Sequence, residues 1–283
     1  MRVFSLLKKS IGIIKKKGIK IFFREIQFYL ARKSNKKNEP HFIQEYQNYL
    51  NNLLKVFPRD EALSIAAGMN YSAIGTDSGT PGIDCGSYIE TGILQKEILL
   101  HYGLKPNMSI IDFGCGSGRL AHALPADYNL DYLGIDVIED LLKFARTKSP
   151  KNYKFNIHKK LLSVPVKSES IDFICAFELF PLLLHEEIYI YLEDMKRALK
   201  KGGRVIFSFL EFDNNQHWHV FCNSVHEKIN KMPSHLNTYT EKSVLKLWAE
   251  KIGYKIIGFT DGTDKKFNGK NFGQSLAVFE KLS

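Results

Sequence analysis

A glycine-rich segment is the part of the sequence best suited to binding a ligand. It reads IIDFGCGSGRL from Ile110 to Leu120, with glycines at 114, 116 and 118. Glycine has no Cβ and adopts positive φ at low cost, so such positions let a ligand approach the backbone closely. Because an apolar run precedes the segment and a helical pattern follows it, we expect a cofactor-binding loop between a strand and a helix.

Two acids near this loop favour a nucleoside joined to an amino acid over a dinucleotide. The loop spacing is GxGxG, whereas the third glycine of a dinucleotide loop comes three residues after the second. Asp112 precedes the loop, where a carboxylate suits an amine better than a phosphate. Asp136 ends the segment YLGID and can accept both hydroxyls of a ribose. The alternatives are a tight turn without a ligand and an Asp136 that only caps the next helix.

Alternating helix and strand patterns from residue 87 onward predict the elements that position these groups. They indicate a mostly parallel sheet that is covered on both faces. Ile89, Ile93 and Leu100 mark one face of the first helix. A helix over 186–200 is expected to end at the Gly202–Gly203 pair, and an irregular insert follows residue 210. The predicted strands are 108–113, 132–136, 153–157, 171–177, 204–210, 254–260 and 274–281.

The positive charge of the chain is concentrated at its start. The net charge is +10, but residues 1–37 alone carry +11, so the remainder is nearly neutral. Apolar residues recur at near-helical spacing among these lysines, which predicts a basic amphipathic arm. Such an arm can lie on an anionic membrane surface or pack on its own domain. We therefore expect three parts, the arm 1–37, a helical and loop extension 38–86, and a catalytic domain 87–283.

Composition disfavours several other classes of protein. The four cysteines are scattered, which is typical of reduced thiols in the cytoplasm, and no secretory signal pattern is present. No apolar run is long enough to span a membrane. Neither a nucleic-acid recognition motif nor a metal-ligand spacing occurs. We expect a cytoplasmic protein that contacts the inner face of the membrane through residues 1–37; the pattern leaves its oligomeric state open.

Five segments in order resemble the class I S-adenosylmethionine-dependent methyltransferase family with a type 11-like domain. IIDFGCGSGRL resembles the first motif, and YLGID resembles the acid motif after the second strand. VPVKSESIDFICAFELF and LEDMKRALKKGGRVIFSF resemble the fourth-strand region and the helix, turn and strand that follow it. With FGQSLAVFEKL near the end, the likeness covers about residues 85–283. It implies an α/β fold, a Rossmann-like seven-stranded doubly wound sheet whose last strand is antiparallel, with a helical N-terminal extension.

The resemblance also implies S-adenosylmethionine as the cofactor and suggests which residues contact it. Asp112 is expected near the methionine end, Asp136 on the ribose, and Val137 beside the adenine. Many relatives have an aspartate where this chain has Lys160, so the neighbouring Leu161 backbone is expected to serve the adenine instead. The remaining expected cofactor contacts are Phe113, Gly114, Cys115, Gly116, Gly118, Phe177, Tyr88 and Gly92.

Methyl transfer from a sulfonium needs mainly an acceptor that is held in line with the methyl carbon. An oxygen acceptor also benefits from a general base, and the candidates are His217, His219 and Glu178. The alternative is that the histidines lie on a surface lid and that Glu178 is a solvated acid at a strand end. The basic arm favours work near a membrane, and the resemblance suggests a small-molecule, sugar, glycan or lipid-linked acceptor that is methylated at oxygen. Two other classes stay open, a non-catalytic membrane or partner adaptor and an NAD-binding oxidoreductase.

Overall fold

The computed structural model describes residues 41–56, 58–59, 62, 88–158, 162–230 and 236–282 of the 283-residue chain. The chain divides into two compact units, Met1–Gln44 and Glu45–Ser283. The predicted basic arm, residues 1–37, lies outside the described residues. The predicted boundaries of the arm, the extension and the domain therefore stay predictions.

Helices and strands alternate through the second unit. The helices are α1 (His41–Val56, which begins in the first unit), α2 (Tyr88–His101), α3 (Arg119–Ala123), α4 (Glu139–Lys148), α5 (His185–Ala198), α6 (Asn215–Ile229) and α7 (Lys242–Ile252). The strands are β1 (Ser109–Phe113), β2 (Asp131–Asp136), β3 (Lys154–Ile157), β4 (Ile171–Ala176), β5 (Leu199–Phe209), β6 (Tyr254–Thr260) and β7 (Ser275–Lys281).

The strands form one seven-stranded sheet in the order β3-β2-β1-β4-β5-β7-β6. Strands β1 to β5 pair in parallel, and β7 pairs antiparallel with both β5 and β6. This confirms the predicted doubly wound sheet with an antiparallel last strand. The strand order reverses between β1 and β4, and ligands of such sheets bind beside the carboxyl ends of the strands at that point.

The central strand β1 is covered on both faces. Ile110 and Ile111 point to opposite faces of the sheet, and both are fully buried. Helices therefore pack on both sides, as in other parallel sheets. Burial on both faces holds β1 in place, and with it the start of the glycine loop that follows the strand.

The Gly202–Gly203 pair lies inside β5 and does not cap α5, which corrects the sequence expectation. Helix α5 ends at Ala198, where the Leu199 N–H donates to the carbonyl of Met195. Leu199 already pairs with β4, and the register shifts before Arg204. A Cβ on Gly203 would lie 2.9 to 3.1 Å from three backbone carbonyl oxygens. Glycine is needed here because the strand bulges against its neighbour.

Two further expectations about helices were wrong. The insert after β5 is not irregular, because Asn214 caps a 15-residue helix, α6, by accepting the N–H groups of Gln216 and His217. On α2, Ile89 and Ile93 are exposed, whereas Gly92 is buried. The buried face of α2 consists of Thr91, Gly92, Gln95, Ile98 and Leu99, so the close backbone contact at Gly92, and not Ile89 or Ile93, marks it near the start of the helix. No described helix is long and apolar enough to cross a membrane.

Candidate functional site

The glycine loop lies between β1 and α3, at the carboxyl edge of the sheet. The N–H groups of Gly114 and Cys115 donate to the carbonyl of Ile135 at 2.8 and 3.1 Å, which ties the loop to the end of β2. Gly116 has a φ of +53°, and no atom of the described residues lies within 4 Å of the position of a Cβ there. A Cβ on Gly118 would instead lie 2.8 Å from the Ala145 side chain. Gly116 is thus the point where a ligand can reach the backbone, and Gly118 lets α3 pack on α4.

Asp136 joins this loop to the turn after β2. Its Oδ2 accepts the N–H of Gly116 and its Oδ1 accepts the N–H of Ile138, both at 2.9 Å. Burial raises the pKa of Asp136, while the N–H groups of Ile138, Gly116 and Val137 oppose the rise. Ile138, and not Asp136, is the N-cap residue of α4. Each carboxylate oxygen keeps a second acceptor position, so the arrangement fits a ligand with two adjacent hydroxyls.

Asp112 lies on β1 beneath the loop and is buried. Tyr132 Oη donates to its Oδ2 at 2.7 Å, and the Cys175 thiol donates to its Oδ1 at 3.7 Å. Both oxygens are therefore engaged within the fold, and the expected contact of Asp112 with a cofactor amine stays a prediction. Burial raises the pKa of the carboxyl to about 6.

We expect Asp112→Asn to remove a specific pH dependence of stability. The folded-state pKa of Asp112 is about 6, above its ordinary value of 3.8, so the folded state binds more protons in this window. Stability from this group is present below about pH 4 and is lost as the pH rises to about 6, by about 2–3 kcal/mol. Urea unfolding at pH 5 and pH 7 measures the loss, which should be smaller in Asp112→Asn. Equal losses in both proteins would show that the carboxyl titrates normally.

An ion pair that the sequence did not reveal spans the loops after β1 and β4. Arg119 Nη2 donates to Glu178 Oε2 at 2.5 Å, and the two side chains are only 10% and 8% exposed. Arg119 Nη1 and Glu178 Oε1 are buried without a hydrogen-bond partner among the described residues. Glu178 has a φ of +59°, and its N–H donates to Ser208 Oγ on β5. The prediction singled out Glu178 alone, because an arginine at a helix start reads as a solvated charge.

Helix α2 packs against the glycine loop through Tyr88 and Gly92. Tyr88 Oη donates to the carbonyl of Ser117 at 2.9 Å, and burial raises the pKa of Tyr88 well above its ordinary value. A Cβ on Gly92 would lie 2.3 Å from the carbonyl oxygen of Arg119. Both residues therefore hold the loop and the start of α3 in place. Direct contact of either residue with a cofactor stays a prediction.

Four other predicted cofactor contacts, Phe113, Cys115, Val137 and Phe177, lie in or beside the core. The Phe113 ring packs on His158 and Tyr191, and the Phe177 ring packs on Phe272 at 5.3 Å. Cys115 is buried, and burial raises the pKa of its thiol. Val137 is half-buried next to Asp136. Leu161 lies outside the described residues. Contact of these residues with a cofactor stays a prediction.

His217 is the predicted general base that the geometry argues against. It is fully buried at the start of α6. Its Nδ1 accepts the N–H of Glu211 at 3.1 Å, so Nε2 carries the proton and donates to the carbonyl of Gly273 at 3.0 Å. Burial lowers its pKa. Neither nitrogen is left for an acceptor proton, and His217 instead joins the end of β5 to the segment before β7. His219 is exposed on α6.

We expect His217→Ala to lower the free energy of unfolding by about 2–3 kcal/mol, because it leaves the Glu211 N–H and the Gly273 carbonyl buried without partners. The neighbouring His219→Ala should change it by less than about 0.5 kcal/mol, since that side chain is exposed. Chemical denaturation of both variants measures the difference. Equal stabilities would mean that the buried bonds of His217 contribute nothing, and a base role would regain support.

Among the described residues, no group of three or more His, Cys, Asp or Glu side chains is arranged to hold a metal ion. The remaining arrangement is a sheet of order 3-2-1-4-5-7-6, a glycine loop open at Gly116, and an acid at the end of β2. These features define a Rossmann-like α/β domain of the class that binds a nucleoside cofactor.

Comparison with known proteins finds a methyltransferase domain within the chain. Residues 111–207 match the family model described as the methyltransferase domain. The chain is 24% identical over 144 residues to an uncharacterized methyltransferase of Schizosaccharomyces pombe, which is 51% of this chain and 55% of that protein. It is 24% identical over 190 residues to an O-methyltransferase of Aspergillus nomiae, which is 65% of this chain and 80% of that protein. The chain thus spans about half the length of the first relative.

A crystal structure of a SAM-dependent methyltransferase from Methanosarcina mazei has the same fold. The TM-score is 0.51 at 18% sequence identity, over 65% of this chain and 97% of that chain. The chain thus contains a methyltransferase domain at residues 111–207 and has the fold of S-adenosylmethionine-dependent methyltransferases. The cofactor of the chain is S-adenosylmethionine.

Proposed function

We propose that this protein transfers the methyl group of S-adenosylmethionine to an oxygen of a sugar, a glycan or a lipid-linked acceptor. The cofactor part of this proposal rests on the hydrogen bond from the Gly116 N–H to Asp136 Oδ2 at 2.9 Å and on the open space over Gly116. This arrangement offers two acceptor oxygens to a ribose and an unobstructed backbone to the rest of the nucleoside. Tyr88 and Gly92 support the loop and the start of α3 from α2.

The chemistry that S-adenosylmethionine supplies is an electrophilic methyl group on a sulfonium. The residues of the chain have to hold the acceptor in line with that methyl group and take up the proton of an acceptor hydroxyl. Among the three candidate bases, His217 is engaged on both nitrogens and Glu178 is paired with Arg119. His219 is the candidate whose side chain is exposed, so we assign the proton to this imidazole or to solvent.

An exposed aromatic surface beside the carboxyl edge supports a sugar or lipid-linked acceptor. We call it the α6 aromatic cluster; it consists of Phe212, Trp218, Phe221 and Tyr239. Phe212 stacks on Tyr239 at 4.5 Å, and Trp218 lies 5.2 Å from Phe221. Phe212 and Trp218 remain 41% and 47% exposed. Exposed aromatic faces favour a ligand with an apolar face, such as a pyranose ring or an acyl chain.

Calorimetry with S-adenosylmethionine and S-adenosylhomocysteine tests the cofactor side, and NAD tests the oxidoreductase alternative. We expect micromolar binding of both adenosyl ligands and none of NAD. The acceptor side is tested with tritiated S-adenosylmethionine and membrane-derived glycans. Trp218→Ala should raise the KM for the acceptor while leaving cofactor affinity unchanged. Binding of NAD without binding of the adenosyl ligands would contradict the proposed cofactor. Transfer that is unaffected by Trp218→Ala would contradict the proposed acceptor surface.

We further propose a cytoplasmic protein whose residues 1–37 contact the anionic inner face of a membrane. The net charge of +11 on this segment supports the proposal, because each basic residue near such a surface contributes about 1 kcal/mol of attraction. Co-sedimentation with anionic and neutral vesicles should show binding of the full chain to anionic vesicles only. A chain lacking residues 1–37 should keep turnover on a free acceptor. Loss of function with intact cofactor binding would favour the adaptor alternative.

A further inference from the structure

The exposed side of α6 is apolar, which is the reverse of the usual arrangement on a surface helix. The helix runs for 15 residues, and of these described residues only His217 is buried. Trp218, Val225 and Ile229 are 47%, 41% and 74% exposed. Surface helices usually turn their apolar residues inward and their polar residues to water. Something other than water is therefore expected to cover this side of α6.

The same side of α6 carries no formal charge. At about 100° of rotation per residue, the residues that share it fall within a sector about 120° wide. We call this sector the α6 outer face; it consists of Asn215, Trp218, His219, Cys222, Val225, His226 and Ile229, all of them exposed. None of the seven is Lys, Arg, Asp or Glu, whereas a solvated helix face typically carries charged residues. The α6 outer face therefore suits contact with an apolar layer.

The opposite side of α6 fixes the helix beside the edge of the sheet where the glycine loop lies. Asn214 caps α6, and its Nδ2 donates to Asp261 Oδ1 at 2.8 Å, just after β6. His217 accepts the N–H of Glu211 and donates to the carbonyl of Gly273, just before β7. These segments all lie at the carboxyl edge of the parallel strands, because β5 ends there. The α6 outer face thus points away from the domain at that edge.

A lipid layer fits this face better than a second copy of the chain does. The face of a 15-residue helix is about 22 Å long and about 10 Å wide, which is about a quarter of the roughly 800 Å² that each partner of a stable dimer buries. Every copy also carries a net charge of +10, so two copies repel each other, whereas an anionic lipid layer attracts each of them.

We infer that the α6 outer face inserts into the headgroup boundary of an anionic lipid layer. Trp218 lies at the interface, and Val225 and Ile229 enter the apolar part. Stable attachment to a membrane generally takes two signals, such as an apolar group and a polybasic segment. Residues 1–37 supply the basic signal with their net charge of +11, and α6 supplies the apolar one.

This attachment selects one of the proposed acceptors, a step that rests on the proposed function. Because α6 is fixed beside the glycine loop edge of the sheet, insertion of its outer face brings that edge close to the layer. An acceptor held in the layer is then within reach, whereas a water-soluble glycan gains nothing from the attachment. The acceptor is therefore lipid-linked.

Tryptophan fluorescence tests the insertion on a chain with one tryptophan. The protein has two, and Trp248→Phe removes the one that packs on Tyr189 of α5. With vesicles of phosphatidylglycerol and phosphatidylcholine, we expect Trp218 emission to shift to shorter wavelength and to be quenched by brominated acyl chains. Unchanged emission from a chain that still co-sediments overturns the inference and leaves the role of residues 1–37 intact. The same shift at high protein concentration without vesicles also overturns it, since a second copy then covers the face.

Two substitutions outside the glycine loop site assign the binding to α6. Val225→Ser combined with Ile229→Ser should weaken binding to these vesicles about 10- to 100-fold, because two apolar side chains no longer enter the layer. Leu247→Ser is the matched control, since Leu247 is 50% exposed on α7 and its loss should change vesicle binding by less than about twofold. Equal binding of the double variant and the control overturns the inference.

Cofactor binding and label transfer separate this inference from the proposed function. The double variant should bind S-adenosylhomocysteine with unchanged affinity. Tritiated S-adenosylmethionine should label a membrane lipid extract presented in vesicles, and the double variant should label it less. Label in water-soluble glycans alone, or in neither fraction, overturns the lipid-linked acceptor. If the unaltered protein binds no S-adenosylhomocysteine, the proposed function fails, and the fluorescence result still decides whether α6 inserts.

Discussion

Replacing Gly92 with alanine is expected to lower the free energy of unfolding by about 3 kcal/mol, because the new methyl group overpacks a tight contact. The Cβ would lie 2.3 Å from the carbonyl oxygen of Arg119 and 2.9 Å from its carbonyl carbon. Backbone atoms cannot turn aside as a flexible side chain can, so α2 must move away from α3. Urea unfolding monitored by circular dichroism measures the loss.

The same displacement should also weaken cofactor binding, because Arg119 begins α3 directly after the glycine loop. Gly258→Ala is the matched control, since no atom of the described residues lies within 4 Å of a Cβ at that position on β6. We expect it to change stability by less than about 0.5 kcal/mol. If the two glycine variants unfold at the same urea concentration, the close packing of α2 on α3 is not an energetic constraint.

The strands could be predicted from sequence because their signal is local. Runs such as 171–177 and 254–260 are apolar enough to be buried on at least one face, and the observed strands agree with the prediction within about two residues except at the start of β5. That exception has a long-range cause. Glycine is needed at position 203 because a Cβ there would meet carbonyl groups of Lys200 and of β4, and the β4 residues lie some thirty positions earlier in the chain. From the sequence alone, a glycine pair after a helix could only be interpreted as a cap.

The site also contains residues that a local sequence pattern predicts and residues whose roles depend on long-range contacts. The positions of Gly116 and Asp136 on a loop and at a strand end could be predicted because they are encoded within about 30 residues of sequence, whereas their contact with a cofactor stays a prediction. The partnership of Arg119 with Glu178 joins residues 59 positions apart and depends on a positive φ, for which no local residue pattern exists. His217 was predicted as a base from its residue type, but its burial is decided by the packing of α6 on the segment before β7. The α2 face was misjudged because Gly92 contributes to packing by having no side chain.

Replacing Asp136 with alanine is expected to raise the dissociation constant of S-adenosylhomocysteine at least about 100-fold. The variant loses an acceptor for each ribose hydroxyl, and two hydrogen bonds to a charged group are together worth about 3–6 kcal/mol. It also frees the Gly116 N–H, which Asp136 holds at 2.9 Å, so the loop is less well ordered for the ligand. Calorimetry with S-adenosylhomocysteine measures the change directly and does not require a known acceptor.

Two further variants separate this effect from charge and from stability. Asp131→Ala removes an acid from the same strand, but Asp131 is exposed and pairs with Lys154 at 3.0 Å, so cofactor affinity should be unchanged. Asp136→Asn keeps the shape and one acceptor oxygen and should fall between Asp136→Ala and the unaltered protein. If Asp136→Ala binds within threefold of normal, the acid serves only to tie the loop to β2. The ribose must then be held elsewhere, and the bond to Gly116 no longer supports a nucleoside site at this position.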